Sequence, residues 1–182
     1  MVAASAGGIQ GLGTLLGGLS GELPAVVLVV QHLRRGRETQ IVSVLTRRTD
    51  LAVKLAQDGE EPVPGTVYIA PPDRHLCVRT AGKLALTEEG PVKSARPAAD
   101  PLFESAAKAY GEKAIACVLT GTDGDGAQGI TAVKAHGGTV LVQDPDTAQF
   151  QGMPRSAINT GLVDLVLPLK DIAPTITRFV RR

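Results

Sequence analysis

The feature that most constrains this chain is the run Ala25-Val-Val-Leu-Val-Val30, apolar at every position and ended by Gln31-His32. A strand that is apolar without alternation has both faces buried, the situation of a parallel sheet covered on its two sides by helices. Shorter runs of the same kind occupy Val2 to Ala4, Leu51 to Leu55, Ala114 to Leu119, Thr139 to Val142 and Leu162 to Val166. Between them, Ile9 to Leu16, Gly36 to Arg48, Pro101 to Tyr110, Ala127 to Ala135 and Leu169 to Arg181 carry helical spacing, with Asp100-Pro101 reading as N-cap and first-turn proline. The alternation predicts an α/β fold, a three-layer αβα arrangement around a mainly parallel, doubly wound sheet. The middle of the chain reads differently. Thr66-Val-Tyr-Ile-Ala70, His75-Leu-Cys-Val-Arg79 and Leu84-Ala-Leu-Thr87 are short, partly alternating and separated by Pro71-Pro72-Asp73 and Ala81-Gly82, which predicts a small antiparallel hairpin excursion. Lys93 to Pro97 reads as an extended surface loop.

At 182 residues and 43% hydrophobic content the chain is expected to form one globular domain. Its charge is balanced: residues 1 to 91 carry nine basic and nine acidic side chains, and residues 92 to 182 carry ten and nine, so no half offers an electrostatic footprint for nucleic acid. Aromatic residues make up 3%, with no Trp, which leaves little for base stacking or a membrane-interface belt. The apolar run from Pro24 to Val30 is too short to span a bilayer, and the first residues lack the basic opening of a secretory signal. A cytoplasmic protein without membrane insertion is the expectation. Cys77 and Cys117 each lie inside an apolar stretch, where a free thiol behaves as a small hydrophobe, and no zinc cluster is expected.

In an open parallel sheet, ligands bind beyond the carboxyl ends of the strands, so polar residues that directly follow apolar strands are where chemistry is sought. Ser5 follows Val2-Ala3-Ala4 and precedes Ala6-Gly7-Gly8 and a helical pattern. Such an elbow lifts a hydroxyl above the sheet and aims the first helical N–H groups at an oxyanion, although a plain serine N-cap has the same pattern. His32 ends the strongest strand and is placed to take a proton from Ser5, unless it is a hydrogen-bonded structural histidine. The third strand end is the loop Thr120-Gly-Thr-Asp-Gly-Asp-Gly-Ala-Gln-Gly129, in which either Asp123 or Asp125 can orient the second nitrogen of His32 while loop amides add to an oxyanion hole. Asp125 acting as a cap on the helix that follows is the simpler alternative. Calcium fits poorly, since the twelfth position counted from Asp123 is Lys134 where an EF-hand places Glu. Gly7-Gly8-Ile-Gln-Gly11 misses the spacing of a dinucleotide-binding turn.

These residues belong to a longer set: Ala4-Ser5-Ala6-Gly7-Gly8, Val30-Gln31-His32-Leu33, Tyr68-Ile-Ala-Pro-Pro-Asp-Arg-His75, Arg96-Pro97 with Asp100, Leu119-Thr-Gly-Thr-Asp-Gly-Asp-Gly-Ala127 and Gly152-Met-Pro-Arg155. In this set and order the chain resembles the catalytic domain of the CheB family of chemotaxis methylesterases, from residue 2 to about residue 170. The resemblance implies that Ser5 is the nucleophile, His32 the general base and Asp125, the second acid of its loop, the third member of the triad. It also implies hydrolysis of γ-glutamyl methyl esters on the cytoplasmic domains of methylated chemoreceptors, with release of methanol, deamidation of some receptor glutamines, and no metal or organic cofactor. Ala6 and Thr122 are then candidates for the oxyanion site, and Arg96 and Arg155 for contacts with the receptor.

The chain departs from the usual family pattern at several places. Ala3-Ala4 stands where the family has Gly-Ala, Arg34-Arg35 where Pro-Pro is frequent, Thr122 where methionine is frequent, and Ala95 where the family has histidine. The first strand is also short. The family's usual receiver domain is expected to be missing from residues 1 to 182, which the methylesterase domain accounts for; the chain is then either a stand-alone esterase, uncontrolled or with a separate receiver or regulatory protein as candidate partner, or a fragment of a longer reading frame. The competing reading is a catalytically impaired module of the same fold that binds a receptor or signalling partner, its elbow spoiled by Ala3 and the short first strand.

Overall fold

The computed structural model describes residues 1–33 and 39–181. The strands in chain order are β1 (Val2–Ala4), β2 (Val27–Gln31), β3 (Ala52–Leu55), β4 (Thr66–Ile69), β5 (His75–Val78), β6 (Leu84–Thr87), β7 (Ile115–Val118), β8 (Thr139–Gln143) and β9 (Leu165–Leu167). The helices are α1 (Gly8–Gly17), α2 (Ile41–Thr46), α3 (Ala99–Tyr110), α4 (Ala127–Ala135), α5 (Gly152–Ile158) and α6 (Leu169–Val180). Seven strands form one sheet in the order β3-β4-β2-β1-β7-β8-β9, every neighbouring pair parallel, while β5 and β6 form a separate antiparallel pair.

Because successive residues of a strand point to opposite faces, the apolar runs supply two cores at once. Ala3, Leu28, Val30, Ala116 and Val118 face one side, where Leu102 and Phe103 of α3, Ile130 of α4, Met153 of α5 and Leu76 of the hairpin cover them. Val2, Ala4, Val27, Val29 and Cys117 face the other, against Leu12, Leu15 and Leu16 of α1, Leu45 of α2 and Ile172 of α6. The three α1 leucines are fully buried, and each such burial is worth about 1.5–3 kcal/mol. This is the three-layer αβα arrangement that the alternating runs predict.

Several expectations are corrected. Thr66–Ile69 belongs to the parallel sheet, between β3 and β2, and not to the hairpin excursion. Its pattern reads as alternating because of Thr66 and Tyr68, yet all four residues are buried, and the Tyr68 hydroxyl is satisfied by accepting a bond from the Val63 N–H at 3.1 Å. Helix α3 begins at Ala99 with Ala98 as N-cap, so Asp100-Pro101 lies inside its first turn rather than at its boundary. The last strand sits at Leu165–Leu167, later than Leu162 to Val166, because Asp164 ends the loop before it by accepting bonds from the Val140 N–H and the Lys134 ammonium. The segment Gly152–Ile158, unassigned from sequence, is helix α5. The second helix begins at Ile41 with Gln40 as N-cap, so Thr39 and Gln40 of the expected helix lie outside it, while its expected start at Gly36, and Arg34-Arg35, lie outside the described residues.

Sheet order fixes the position of the site. From β1 the chain passes through α1 to β2 on one side, and only much later returns with β7 on the other. The connections after β1 and after β7 leave on opposite faces, since α1 and α4 pack in different cores. A crevice opens between two such diverging connections, and Ser5 stands at its edge.

Candidate active site

Ser5 follows β1 directly and is held at strand spacing from both neighbours: its N–H donates to Thr120 O at 3.0 Å, and the His32 N–H donates to Ala4 O at 3.1 Å. The turn that follows needs a left-handed residue, supplied by Gly7 at φ 73°, the N-cap of α1. Ala3 lies in regular strand, paired with Val30 on one side and Val118 on the other, where a glycine's extra freedom is not used. The serine is half-buried among small neighbours. Gly121 comes so near that a Cβ there would lie 3.0 Å from Ser5 Cβ and collide with the Met153 sulfur. Ala6, the first residue after the serine, is half-buried, and Thr122 is exposed in the facing loop.

His32 follows β2, one strand over from Ser5. Its main chain and that of Ser5 are joined by Gln31, a buried strand residue whose Nε2 donates to Ser5 O at 2.8 Å and to His32 O at 3.2 Å. Both ring nitrogens are occupied by carboxylates from the loop after β7. Asp125 Oδ2 is 2.7 Å from Nε2, and Asp123 Oδ2 is 3.2 Å from Nδ1. Burial on its own would lower the proton affinity of the ring. The two carboxylates, Asp123 foremost, outweigh it and raise His32 to about 9.

The two acids are held differently. The Asp125 side chain is fully buried and also accepts the N–H groups of Ala99 at 2.6 Å and Asp100 at 3.1 Å, so it caps the N-terminus of α3, whose own N-cap, Ala98, has no side chain to do so. The sequence allowed that Asp125 merely caps the helix after it; the helix it caps is α3, which precedes it in the chain. Asp123 is 34% exposed, and its other oxygen accepts the Asp125 N–H at 2.9 Å. The bond to His32 is its first cause of a lowered pKa.

Several further residues support Ser5, His32 and the two acids. His75, buried at the start of β5, accepts the Ala98 N–H on Nδ1 at 3.1 Å, which leaves Nε2 to donate to Gly90 O. It thus fixes the entry to the helix that Asp125 caps. The Asp100 carboxylate accepts the Gly129 N–H of α4. Thr120 Oγ1 donates to Ala6 O and accepts the Phe150 N–H, stitching the serine turn to the loop before α5. The cue for Thr120 was its position, a polar residue directly after an apolar strand. Gln31 carried the same cue.

Beside His32 a cleft is lined by Leu33, Lys93, Ala95, Arg96, Pro97 and Asp123. Arg96 lies in its wall with its guanidinium on Asp73 and on the carbonyls of Glu88 and Glu89. Arg155 is exposed on α5 and bonds Gln151 of the same helix end at 2.9 Å. His136 is the C-cap of α4 and bonds Ala132 O.

The sequence matches the CheB methylesterase family over residues 1–176. The chain belongs to that family. It is similar to the crystal structure of the CheB methylesterase catalytic domain of Thermotoga maritima, with TM-score 0.93 and 38% identity, covering 97% of this chain and 95% of that one. A protein-glutamate methylesterase/protein-glutamine glutaminase of Rhizobium meliloti is 40% identical over 180 residues, which is 99% of this chain and 51% of that protein. A protein of Leptospira interrogans, named as a putative enzyme of the same kind, is 37% identical over 178 residues, 98% of this chain and 92% of its own length. The chain thus spans about half the length of several relatives it matches, and nearly all of others. Among the described residues no helix is long and apolar enough to cross a membrane.

Proposed function

We propose that the chain is a serine hydrolase of the CheB kind, acting in the cytoplasm on methylated glutamates of chemoreceptor cytoplasmic domains. Methanol is released, hydrolysis of the acyl-enzyme restores the carboxylate, and the same acyl chemistry deamidates receptor glutamines, the two activities that the relatives' names carry. The observation that carries this reading is the grouping of Ser5, His32 and Asp125 at adjacent strand ends on the switch point of the sheet, with Asp125 on His32 Nε2. That bond leaves Nδ1 as the nitrogen for the serine. The Ser5 oxygen attacks the ester carbonyl while its proton passes to Nδ1; the proton then goes to the departing methoxide, and water resolves the acyl-enzyme by the reverse use of the ring. Asp125 holds the ring and stabilises its cationic form. Ala6, and Thr122 across the crevice, supply candidate donors for the oxyanion, and Arg96 and Arg155 candidate contacts with the receptor. A separate receiver or regulatory protein is a candidate partner.

The test is methanol release from receptor membranes carrying a labelled methyl group, for the wild type and for Ser5→Ala. Release by the wild type alone supports the reading. No release from either folded protein would favour a docking module of the same fold.

A further inference from the structure

The triad reading does not use Asp123, yet Asp123 makes the second close contact to its base. Among the described residues no hydrogen bond joins Ser5 to His32; with Nε2 engaged by Asp125, the other nitrogen faces the Asp123 carboxylate at 3.2 Å. We propose that Asp123 is a positioning residue that keeps the base in a closed resting state, its carboxylate occupying the ring nitrogen that Ser5 needs and having to leave before the serine can lose its proton. The inference rests on the reading of His32 as general base.

The contrast between the two acids supports it. Asp125 is locked by two helix N–H groups in addition to the ring and is fully buried, so withdrawing it would strand donors that have no other acceptor among the described residues. Asp123 is partly in water and tethered to protein by one N–H besides the ring, so rotation of its side chain carries the carboxylate into solvent, where it is hydrated rather than left buried. Among the described residues, the charges around the pair come from three elements. Asp123 and Asp125 belong to the loop after β7. Lys93 comes from the turn before Arg96, in which Lys93 and Ser94 adopt left-handed backbone at φ 46° and 68°, and its ammonium bonds Gly124 O at 2.6 Å and stands 3.8 Å from Asp100 of α3. Lys93 also acts on Asp123, holding that carboxyl below its ordinary range together with His32. Arg96, in the wall of the same cleft, is committed to Asp73. Among the described residues, Lys93 is therefore a cation placed to receive the Asp123 carboxylate as it leaves the ring.

While Asp123 is in place, the ring is held as an imidazolium, consistent with its raised proton affinity. The proton on Nδ1 must pass to solvent before that nitrogen can accept the one from Ser5. Removing the charge at position 123 should release the base at lower pH, a gain where loss of an ordinary structural residue gives only loss.

The experiment compares wild type with Asp123→Asn, which keeps an oxygen for the Asp125 N–H, and with Asp123→Glu. His32 is titrated by NMR of the ring carbons, and in parallel two rates are followed from pH 6 to pH 10: methanol release from methylated receptor membranes and labelling of Ser5 by a fluorophosphonate. The proposal expects the His32 midpoint of Asp123→Asn to fall by about one to two pH units, the rising limb of both rates to fall with it, and labelling at pH 7 to increase by roughly tenfold for each unit. Asp123→Glu should restore the high midpoint. A midpoint that does not move overturns the proposal. So does a midpoint that falls while labelling and turnover drop at every pH, because Asp123 would then be assisting the base. If labelling shifts as expected but no protein releases methanol, the clamp stands and the receptor-ester substrate falls; if no protein is labelled at any pH, both fall.

Discussion

Asp125 accepts the Ala99 N–H at 2.6 Å through Oδ2, the same oxygen that holds His32 at 2.7 Å, so one carboxylate both starts a helix and orients a ring. The double duty makes its variants separable from those of an ordinary orienting acid. Asp125→Ala leaves the Ala99 and Asp100 N–H groups buried without acceptors, which should cost about 2–4 kcal/mol of stability as well as nearly all turnover. Asp125→Asn keeps one acceptor oxygen and should lose less stability while turnover still falls strongly. Urea unfolding beside methanol release checks this; equal stability of Asp125→Ala and wild type would show that the cap on α3 is dispensable.

Ser5 is the opposite case. Among the described residues its hydroxyl enters no hydrogen bond, and the side chain is half-buried. Ser5→Ala should therefore leave stability within about 0.5 kcal/mol of wild type, while turnover drops by about a thousandfold or more. A variant that is both folded and active would remove Ser5 from the role of nucleophile.

The strands that carry the site were legible because they are apolar at every position: β1, β2 and β7 each end within a residue or so of the expected place, and each delivers its polar residue to the crevice. Failures occurred where polar atoms are satisfied locally. Tyr68 and Thr66 look half-exposed in the sequence but are buried in the parallel sheet, the tyrosine oxygen bonded by a neighbouring loop. Gly152-Met-Pro-Arg155 carries two residues that usually interrupt helices, yet it forms the first turn of α5, where a proline's missing N–H is tolerated. The choice between Asp123 and Asp125 was open in the residues themselves because a Gly-rich loop has no period to say which side chain points inward. In the folded chain both reach the ring, and burial distinguishes them.

Gly121 tests how tightly the serine is packed. A methyl group there would collide with the Met153 sulfur and press on Ser5 Cβ at 3.0 Å, and Met153, itself buried, has little room to retreat. Gly121→Ala should destabilise the protein by about 1–3 kcal/mol and, by displacing the serine, reduce kcat more than it raises KM. Kinetics on the folded variant decide the point. Unchanged kcat would mean that the crevice absorbs the methyl group through Met153 alone.

His32 is raised in the folded protein to about 9 from an ordinary 6.5, with its side chain only 15% exposed, so the folded state binds a proton more tightly than the unfolded chain does. A group shifted upward stabilises fully below its unfolded value and loses that contribution as pH rises through its folded value. The gain, of order 3 kcal/mol for a displacement of about two and a half units, should thus be present at pH 6 and be largely gone by pH 10. At the acid end the same contact fails for the opposite reason: Asp123, held below its ordinary 3.8, contributes above that value and is lost as pH falls through its lowered one. Urea midpoints at pH 6, 8 and 10 should therefore decline across the alkaline range in the wild type. In His32→Gln, which cannot titrate, they should decline much less, and parallel decline in both proteins would place the alkaline loss elsewhere in the chain.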